Sequence, residues 1–496
     1  MHGLHRHPRL VGDVLHGRAG VAAPGEQSGG RVEDGVPRAL GVRLPRGRRI
    51  GPRGHGILPL WLETKSNEMD ATMVTVLLAS NPIHGHVGPM LQVAGHLVRE
   101  GHAVTVVTGT RFRERVEAVG ADFRPLRGAA DYDDRRPDLY LPERAKYSGV
   151  RQAQYDIRTI FIDTIPDQHA AVEAAIEDIR PDTVLVDGAF GGILPILDRT
   201  GERPPVLALG VTPLSQSSRV LGPYGMALPP ARGAVDRARY AALGVVARRI
   251  VFGSTRRAAV RALAACGTRP RGFVMDLSER FDRFLQTGPA SLEYPRPDLA
   301  ANTHFVGVLP QAASDVALPP WWDDLDAAEA VVHVTQGTID NHDFGRLVGP
   351  TLAALSDRPV LVVVSAGGRA VEDLGPLPAN ARAASYLPYD ALLPRTDVLV
   401  TNGGFGGVQA ALAAGVPVVA AGDTEDKPEV GARIAWTGAG VDLRTGSPKP
   451  DEVARAVDAV LADPSYRAAA SRIAVDAARH DALAEITQHL LETRVP

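Results

Sequence analysis

The chain has 496 residues, 45% of them hydrophobic, which is enough for two or three ordinary domains and excludes a predominantly disordered protein. A formal net charge of -3 and a pI near 6.6 provide no overall basic excess, so nucleic acid and anionic membrane are not expected partners. The single cysteine, Cys266, excludes an intramolecular disulfide. We expect it to be a small buried apolar residue without a chemical role, in a protein of a reducing compartment.

The first 70 residues differ in composition from the rest of the chain. They are dense in Gly, Pro, Arg and His and show no sustained period of 2 or 3.6 residues. Such a segment predicts a disordered extension or a start codon assigned too early, with Met69 or Met73 as a sensible beginning. A nucleic-acid-binding arm is the alternative. No apolar stretch approaches the roughly 20 residues that cross a bilayer, and a secretory h-region is missing, which predicts a cytoplasmic protein without integral membrane association.

The N-terminal half alternates between strands and helices from Met73 onward. Strand, helix and strand at this spacing form a parallel unit with a right-handed crossover. The less regular stretches at residues 128–180 and 212–285 interrupt the pattern, and we expect them to shape an acceptor pocket at the strand ends. The predicted strands are residues 74–79, 103–108, 183–187 and 205–210, with helices at residues 89–97 and from Phe190.

A second alternating set follows a break rich in Ala, Asp and Pro at residues 310–320. Its predicted strands are residues 330–335, 359–364, 398–401 and 417–420, with helices between them, and two or three amphipathic helices follow from Pro450.

These patterns predict an α/β protein of two doubly wound, Rossmann-like domains that face each other across a cleft. We expect residues 71–310 to form an N-terminal, acceptor-binding domain and residues 321–475 a C-terminal domain that binds a nucleotide sugar. Residues 476–496 are predicted to form a final helix that packs back on the N-terminal domain.

Two glycine turns end neighbouring strands of the C-terminal half. The strand at residues 398–401 runs into NGGFGG at 402–407 and then into helical spacing, while TQGT at 335–338 closes the first strand of the same half. Glycines let the backbone approach a phosphate, and the free N–H groups of a helix N-terminus favour negative charge. A tight packing turn is the alternative for either turn alone. Neither G-x-G-x-x-G nor a P-loop is present.

With these motifs the chain resembles the family-1 glycosyltransferases of the GT-B fold, especially bacterial enzymes that glycosylate macrolides and other natural products. The resemblance extends from Met73 to Pro496. It is carried by GHVGP at 85–89, GHAVT at 101–105, Gly337 with Thr338, YLP at 386–388, and TNGG at 401–404 through AGVP at 414–417 to Asp426.

The resemblance implies a binding site for a UDP- or dTDP-sugar, used as a donor substrate, with no permanently bound cofactor. Gly337 and Thr338 would meet the diphosphate, Tyr386 would pack against the base, and Asp426 would accept hydrogen bonds from hydroxyls of the donor sugar. The turn that would cradle the diphosphate comprises Asn402, Gly403, Gly404, Gly406 and Gly407.

Four positions depart from the usual family pattern and bear on the identity of the donor. Asn402 stands for a phosphate-binding His, and Gly406 with Gly407 for an Asn-Ser pair. Ala410 stands for a ribose-binding Glu, which weakens a preference for UDP over dTDP. Lys427 stands for a sugar-binding Gln, and we expect it to pair with Asp426 rather than to bind phosphate.

The N-terminal half offers a general base for an acceptor hydroxyl. Histidine suits this task at neutral pH, and both His84 and His86 follow the first strand. We expect the helix that begins near Pro89 to keep His86 neutral, because a helix N-terminus disfavours imidazolium. By resemblance, His86 is the catalytic base and Asp187 the carboxylate that orients it; His84 is the rival.

Other candidate residues receive no catalytic role. His333 should be a core or sheet-face residue, and His342 stays unassigned. The acidic runs at 131–133 and 324–326 match D-x-D, but we expect them to be solvated loop charge, so metal-independent transfer is predicted. The predicted function is therefore an inverting glycosyltransferase with a hydrophobic acceptor. The alternatives are an epimerase or hydrolase of nucleotide sugars on the same fold, and a non-catalytic nucleotide-sugar-binding protein.

Overall fold

Two parallel sheets organise the chain in the computed structural model, which describes residues 73–273, 276–311, 316–338 and 340–493. All described residues belong to one unit, Asp70–Pro496. The extension predicted at residues 1–70 lies outside the described residues.

The first sheet has seven parallel strands among the described residues, in the order β3-β2-β1-β4-β5-β6-β7. Its central strands are apolar runs buried on both faces, as is typical of parallel sheets covered by helices. The order reverses between β1 and β4, which places a crevice at their carboxyl ends. The strands are β1 Thr75–Ala79, β2 Ala103–Thr108, β3 Asp122–Pro125, β4 Thr183–Asp187, β5 Val206–Gly210, β6 Arg283–Gln286 and β7 Thr303–Phe305.

The second sheet has six parallel strands among the described residues, in the order β10-β9-β8-β11-β12-β13. The ends of β8 and β11 are in register, because Thr335 pairs with Thr401. The turns that follow these two strands therefore leave the sheet side by side. The strands are β8 Val331–Thr335, β9 Leu361–Ser365, β10 Ala381–Ala384, β11 Val398–Thr401, β12 Val418–Ala420 and β13 Gly440–Asp442.

Helices cover both faces of the two sheets. Those of the first half are α1 His84–Arg99, α2 Arg113–Ala118, α3 Pro137–Tyr140, α4 Gly149–Ile157, α5 Ile165–Ile179, α6 Leu194–Leu197, α7 Ala234–Val246 and α8 Gly253–Ala265, with π-helical turns at Arg158–Ile162 and Ala247–Val251. Those of the second half are α9 Asp324–Ala327, α10 Val348–Leu355, α11 Tyr389–Leu392, α12 Phe405–Ala413, α13 Lys427–Thr437, α14 Pro450–Ala462, α15 Pro464–Ala477 and α16 Ala482–Thr493. No described helix combines the length and apolar character required to cross a bilayer.

The first helix begins earlier than predicted. Helix α1 starts at His84, where the N–H groups of His86 and Val87 both donate to the carbonyl oxygen of Ile83 at 2.9 Å. Pro89 is an interior residue of α1, not its first turn, and leaves the carbonyl of Gly85 without its usual intrahelical donor. The helix continues because Val87 and residues beyond Pro89 bury a continuous apolar face against the sheet.

The last helix returns to the first sheet. Ala482, Ile486 and Leu490 of α16 are buried in the apolar cluster that contains β1 and α1. The helix predicted from Phe190 begins at Leu194 instead, because a 3-10 turn at Gly191–Ile193 precedes the four residues of α6.

Candidate functional site

His86 and Asp187 meet at the carboxyl edge of the first sheet. His86 lies in the first turn of α1, which follows β1, and Asp187 ends the adjacent strand β4. The His86 Nδ1 atom lies 3.1 Å from Asp187 Oδ1. Asp187 is fully buried, whereas the His86 side chain is 12% exposed. The Nε2 atom of His86 has no hydrogen-bond partner among the described residues, so this nitrogen is free to act on a ligand.

Asp187 is held by donors on several sides. Its Oδ2 accepts from the backbone N–H of Asn81 at 2.6 Å, its carboxylate also accepts from Asn81 Nδ2 at 3.1 Å, and Oδ1 accepts from the N–H of Ala189 at 2.9 Å. Burial by itself would raise the pKa of Asp187, but the His86 imidazole and these donors favour the charged form and lower it overall. The carboxylate is thus a permanent acceptor toward His86.

Sequence reasoning did not identify the residues that hold Asp187. Gln168 Nε2 donates to Asn81 Oδ1 at 2.8 Å, and Gln168 Oε1 accepts from the N–H of Gly192 at 2.9 Å. Asn81 follows β1 by two residues at the same sheet edge as Asp187, which is a signal that could have been used. Gln168 lies inside α5 and carries no such signal in the sequence.

The electrostatic environment of His86 differs from the expectation. Burial lowers its pKa, but the Asp187 carboxylate raises it by more, with smaller contributions from Asp426 and Glu425 of the second half, so the pKa lies above its usual value. The predicted dominance of the helix N-terminus is therefore wrong, because a carboxylate in direct contact outweighs a partial charge. The result is a more basic imidazole.

His84 lies in the same turn but in a different environment. Its Nδ1 atom is 3.3 Å from Arg115 Nη1. Burial lowers its pKa to about 4, with further lowering by Arg115 and Arg111. A histidine whose pKa is lowered by burial and by two nearby guanidinium groups is a weak base, which favours His86 over this rival.

A pocket with about 300 Å³ of empty space opens beside His86. Residues 188–189 and 210–215, together with Phe284 and Gln286, line this pocket. Its apolar side chains, Val211, Pro213, Leu214 and Phe284, lie beside the polar Thr212, Ser215 and Gln286. Such a mixed lining suits a largely hydrophobic ligand whose polar group points at the imidazole.

The two glycine turns of the second sheet have the same local geometry. The N–H of Gly337 donates to Thr335 Oγ1 at 3.1 Å, and the N–H of Gly403 donates to Thr401 Oγ1 at 3.3 Å. Both glycines have positive φ, +71° and +87°, which other residues rarely adopt. The carbonyl of Gln336 in one turn accepts from Asn402 Nδ2 in the other at 2.5 Å. Asn402 therefore ties the turns together, and this amide hydrogen is not directed at a ligand.

Helix α12 begins directly after the second turn. Gly404 precedes it without a side-chain cap, so the N–H groups of the first turn are available to a ligand. Side chains at Gly406 and Gly407 would meet open space, in keeping with a gap in front of the helix. Ala410 is buried in the apolar cluster around α12, away from this gap.

Asp426 immediately precedes α13 and is half-buried. Burial raises its pKa to about 6, Glu425 adds to the rise, and Lys427 and His86 oppose it. Asp426 raises the pKa of His86 and His86 lowers that of Asp426, so the two groups influence each other electrostatically.

Lys427 is paired differently than predicted. Its Nζ atom bonds to Glu425 and donates to Thr424 Oγ1 at 3.1 Å, with Asp340 Oδ2 at 3.9 Å. The predicted pairing with Asp426 is wrong because the buried side chain of Lys427 reaches back over the preceding turn.

Tyr386 and Thr338 are the more exposed residues of the second half of the site. Tyr386 is half exposed, with its hydroxyl directly over the α-carbon of Gly368. Arg115 of the first half interacts electrostatically with Tyr386. Thr338 is exposed at the tip of its turn.

Residues outside the gap have structural partners. His333 is fully buried, with Nδ1 2.9 Å from the carbonyl of Val363, as expected of a core residue. His342 is exposed, and its backbone carbonyl oxygen accepts a hydrogen bond from Arg369 Nη1. Cys266 is half-buried at the end of α8, where its thiol donates to the carbonyl of Ala262.

Three of the four aspartates in the two D-x-D runs pair with arginines, and Asp131 accepts from the N–H and the hydroxyl of Thr110. Asp133 binds Arg135, Asp324 binds Arg382, and Asp326 binds Arg395. The second run lies in α9 and not in a loop, which corrects that part of the prediction.

Comparison with known proteins gives a consistent set of matches. The family described as "Erythromycin biosynthesis protein CIII-like, C-terminal domain" matches residues 350–493. The 4'-demethylrebeccamycin synthase of Lentzea aerocolonigenes is 39% identical over 413 residues, 83% of this chain and 97% of that protein. The UDP-glucosyltransferase A1 of Starmerella bombicola is 34% identical over 84% of this chain and 92% of that protein.

Solved structures share the fold at lower identity. The glycotransferase of kitacinnamycin matches with a TM-score of 0.63 and 22% identity, covering 85% of this chain and 99% of that one. The glycosyltransferase VinC in complex with dTDP matches with a TM-score of 0.58 and 20% identity, covering 84% and 99%.

Proposed function

The chain belongs to the family-1 glycosyltransferases of the GT-B fold, and from that premise we propose inverting transfer of a sugar from a nucleoside-diphosphate sugar to a hydroxyl of a small hydrophobic acceptor. One observation carries the proposal: His86 lies 3.1 Å from Asp187 at the carboxyl edge of the first sheet, and Asp426 and Glu425 of the second half act on its charge. The names of the relatives, which include a rebeccamycin synthase, favour a natural product as the acceptor.

His86 is the catalytic base. Its Nδ1–H donates to Asp187, which leaves Nε2 as the basic nitrogen. Nε2 takes the proton of the acceptor hydroxyl while the oxygen attacks the anomeric carbon. The bond from that carbon to the diphosphate oxygen breaks, and its electron pair leaves with the diphosphate. A single displacement inverts the anomeric configuration, and Asp187 stabilises the imidazolium that forms.

The second half binds the donor. Backbone N–H groups of Gly404 and, at the start of α12, of Gly406 and Gly407 offset the charge that develops on the leaving diphosphate. Gly337 and Gly403, whose own N–H groups bond to Thr335 and Thr401, let the two turns approach the diphosphate closely. Thr338 contributes a hydroxyl at the diphosphate, and Asn402 holds the two turns at a fixed distance. Asp426 accepts hydrogen bonds from the sugar, with Lys427 anchoring the preceding turn.

The nucleobase of the donor stacks near Tyr386 and is uracil or thymine. A UDP-glucosyltransferase among the relatives supports the first, and VinC in complex with dTDP supports the second. Ala410 offers no carboxylate to the ribose, so both nucleotides remain substrates of this proposal.

Transfer is metal-independent in this proposal. The helix N-terminus and the glycine turns already place donors at the diphosphate. Of the D-x-D aspartates, Asp133, Asp324 and Asp326 pair with arginines, and Asp131 accepts from Thr110. The donor lobe corresponds to residues 321–475, and residues 71–310 bind the acceptor in the apolar pocket beside His86. Residues 476–496 complete the acceptor lobe.

The test is a screen of UDP- and dTDP-sugars for thermal stabilisation, followed by transfer to phenolic acceptors with the stabilising donor. An α-linked donor should yield a β-linked product, and the coupling constant of the anomeric proton in the NMR spectrum distinguishes the two linkages. His86→Ala should abolish transfer and preserve donor binding, whereas His84→Ala should retain turnover. Donor consumption without a glycosylated product would instead indicate a hydrolase or epimerase, and unchanged turnover in His86→Ala would refute the base.

A further inference from the structure

The helices between β5 and β6 form a basic surface that the proposed chemistry does not use. Residues 232–271, here called the basic helical face, contain ten arginines and a single acidic residue, Asp236. The whole chain, by contrast, has 54 basic and 57 acidic residues. All ten arginines are exposed. The slight negative charge of the protein therefore hides a strongly cationic region.

The charge of this face is largely uncompensated. Within the described residues, Arg271 lies 3.3 Å from Asp198 and Arg248 lies 4.0 Å from Asp276. The other eight arginines of the face have no carboxylate within ion-pair distance among the residues that the structure describes. A cluster of unpaired guanidinium groups attracts a surface of opposite charge.

An aliphatic stripe runs through the same face. Val235 is 82% exposed, Val245 53% and Val246 44%, and Ile250 in the following π-helical turn is 73% exposed. Tyr240 is the sole fully buried residue among the described positions of α7, and it anchors the helix on the opposite side. Single exposed aliphatic residues need no explanation, but four along one helix surface form a patch that water solvates poorly.

We propose that the basic helical face docks on an anionic lipid bilayer, with α7 lying in the plane of the interface. Arginines would contact lipid phosphates, and the aliphatic stripe would enter the boundary between headgroups and acyl chains. This combination separates lipid from nucleic acid, which would engage the arginines but leave the four aliphatic side chains in water.

The face also lies close to the acceptor pocket. Ala258, Ala259 and Leu263 of α8 pack on Ile162 and Ile165, next to Phe161. The Phe161 ring lies 6.0 Å from the imidazole of His86, centroid to centroid. Tyr240 donates its hydroxyl to the carbonyl of Pro229 at 2.9 Å, in the loop that leads to α7. If the proposed function holds, the single layer of helix α8 separates the bilayer from the catalytic base, and a hydrophobic acceptor would cross only that distance. The docking on the bilayer does not depend on the proposed function.

The experiment is sedimentation of the full chain with vesicles of phosphatidylcholine alone or mixed equally with phosphatidylglycerol. The chain should bind the mixed vesicles and release them at high salt. Arg249→Glu/Arg257→Glu should weaken binding at least about 25-fold, since each basic residue near the surface contributes roughly fivefold. Val235→Ser/Ile250→Ser keeps the charge unchanged and should also weaken binding, because it removes the inserted groups.

Matched controls lie on α15 of the other lobe. Val475 is 60% exposed and Arg472 is exposed. Val475→Ser and Arg472→Glu each make one substitution of the corresponding kind outside the face, and both variants should bind as the unaltered chain does. All variants replace exposed side chains, and unchanged melting temperatures would verify folding. Equal binding to both vesicle types, or undiminished binding by Val235→Ser/Ile250→Ser, would overturn the proposal; the latter result would indicate a polyanionic macromolecule instead.

Discussion

Replacing Asp187 by Asn tests the coupling between the carboxylate and the base. The change preserves shape and retains one oxygen, which at the Oδ1 position still accepts from Ala189 and His86, whereas the new NH2 group replaces the Oδ2 that accepts from Asn81. It removes the negative charge 3.1 Å from His86 Nδ1. A hydrogen bond to a charged group contributes about 1.5–3 kcal/mol, which corresponds to a rate loss of roughly 10- to 150-fold. Loss of the correct imidazole tautomer adds to this, so kcat should fall by about 10² to 10⁴.

The pH profile gives a second, independent measure of the same change. Activity requires neutral His86, and the carboxylate raises its pKa above the ordinary 6.5, so kcat/KM should increase as pH rises through that raised value. Without the carboxylate the pKa of His86 falls, and the acidic limb of the profile should move to lower pH. Initial rates at saturating donor and varied acceptor concentration, measured across pH for both proteins, supply kcat and the position of the limb in kcat/KM.

The refuting results are specific. A loss of kcat below about threefold, or a limb displaced to higher pH, would contradict the proposed role of Asp187. The double variant His86→Ala/Asp187→Asn should be no worse than His86→Ala alone, because residues that act as a unit are not additive. Donor affinity by calorimetry should be unaffected and serves as the control for folding.

Three further predictions concern the donor lobe and the joint between the lobes. Affinity for a nucleotide sugar should fall as pH decreases through about 6, where burial places the pKa of Asp426, because the protonated carboxyl is a weaker acceptor. Calorimetry should show no such fall for the nucleotide alone, and the same fall for both ligands would contradict the role of Asp426 in sugar binding. Gly367→Ala should raise the donor KM with little effect on the acceptor KM, because the new methyl group would lie 1.9 Å from the carbonyl oxygen of Gly337. Steady-state kinetics measures both constants, and an unchanged donor KM would contradict the role of the Gly337 turn in donor binding. Arg433→Met should lower the free energy of unfolding by about 3–5 kcal/mol, because it leaves buried Glu429 without a cation among the described residues and buried Glu293 with Arg296 alone. Denaturant titration measures the loss, and a change under about 1 kcal/mol would show that Arg296 and the backbone donors to Glu429 are sufficient.

The strands were predictable because a buried parallel strand is a short, continuous apolar run. β4 and β8 are buried along their full length and stand out in the sequence. The start of α1 was misplaced because Pro89 is typical of a first turn, and only the packed apolar face of the helix shows that it continues back to His84. Local signals were thus sound where burial is uniform and misleading where packing overrides them.

The site divides in the same way. Glycines at 337 and 403 signal turns by themselves, since their positive φ values suit no other residue well. The supports of Asp187 are another matter, because Asn81 is 106 residues distant in the chain and Gln168 belongs to a third element. Lys427 was assigned to its nearest carboxylate in sequence, Asp426, whereas the fold of the turn directs it to Glu425.

By itself, the sequence determined the α/β class, the two sets of parallel strands and the residue types at their carboxyl ends, because these depend on periodicity and on glycine at a few positions. The tertiary structure alone decided which nitrogen of His86 is free, which carboxylates share each cation, and that the arginines of residues 232–271 are exposed and mostly unpaired. The physical reason is that charge and hydrogen bonding act through space: a net charge of -3 averages over the chain, but an imidazole or a bilayer responds to the groups within a few ångströms.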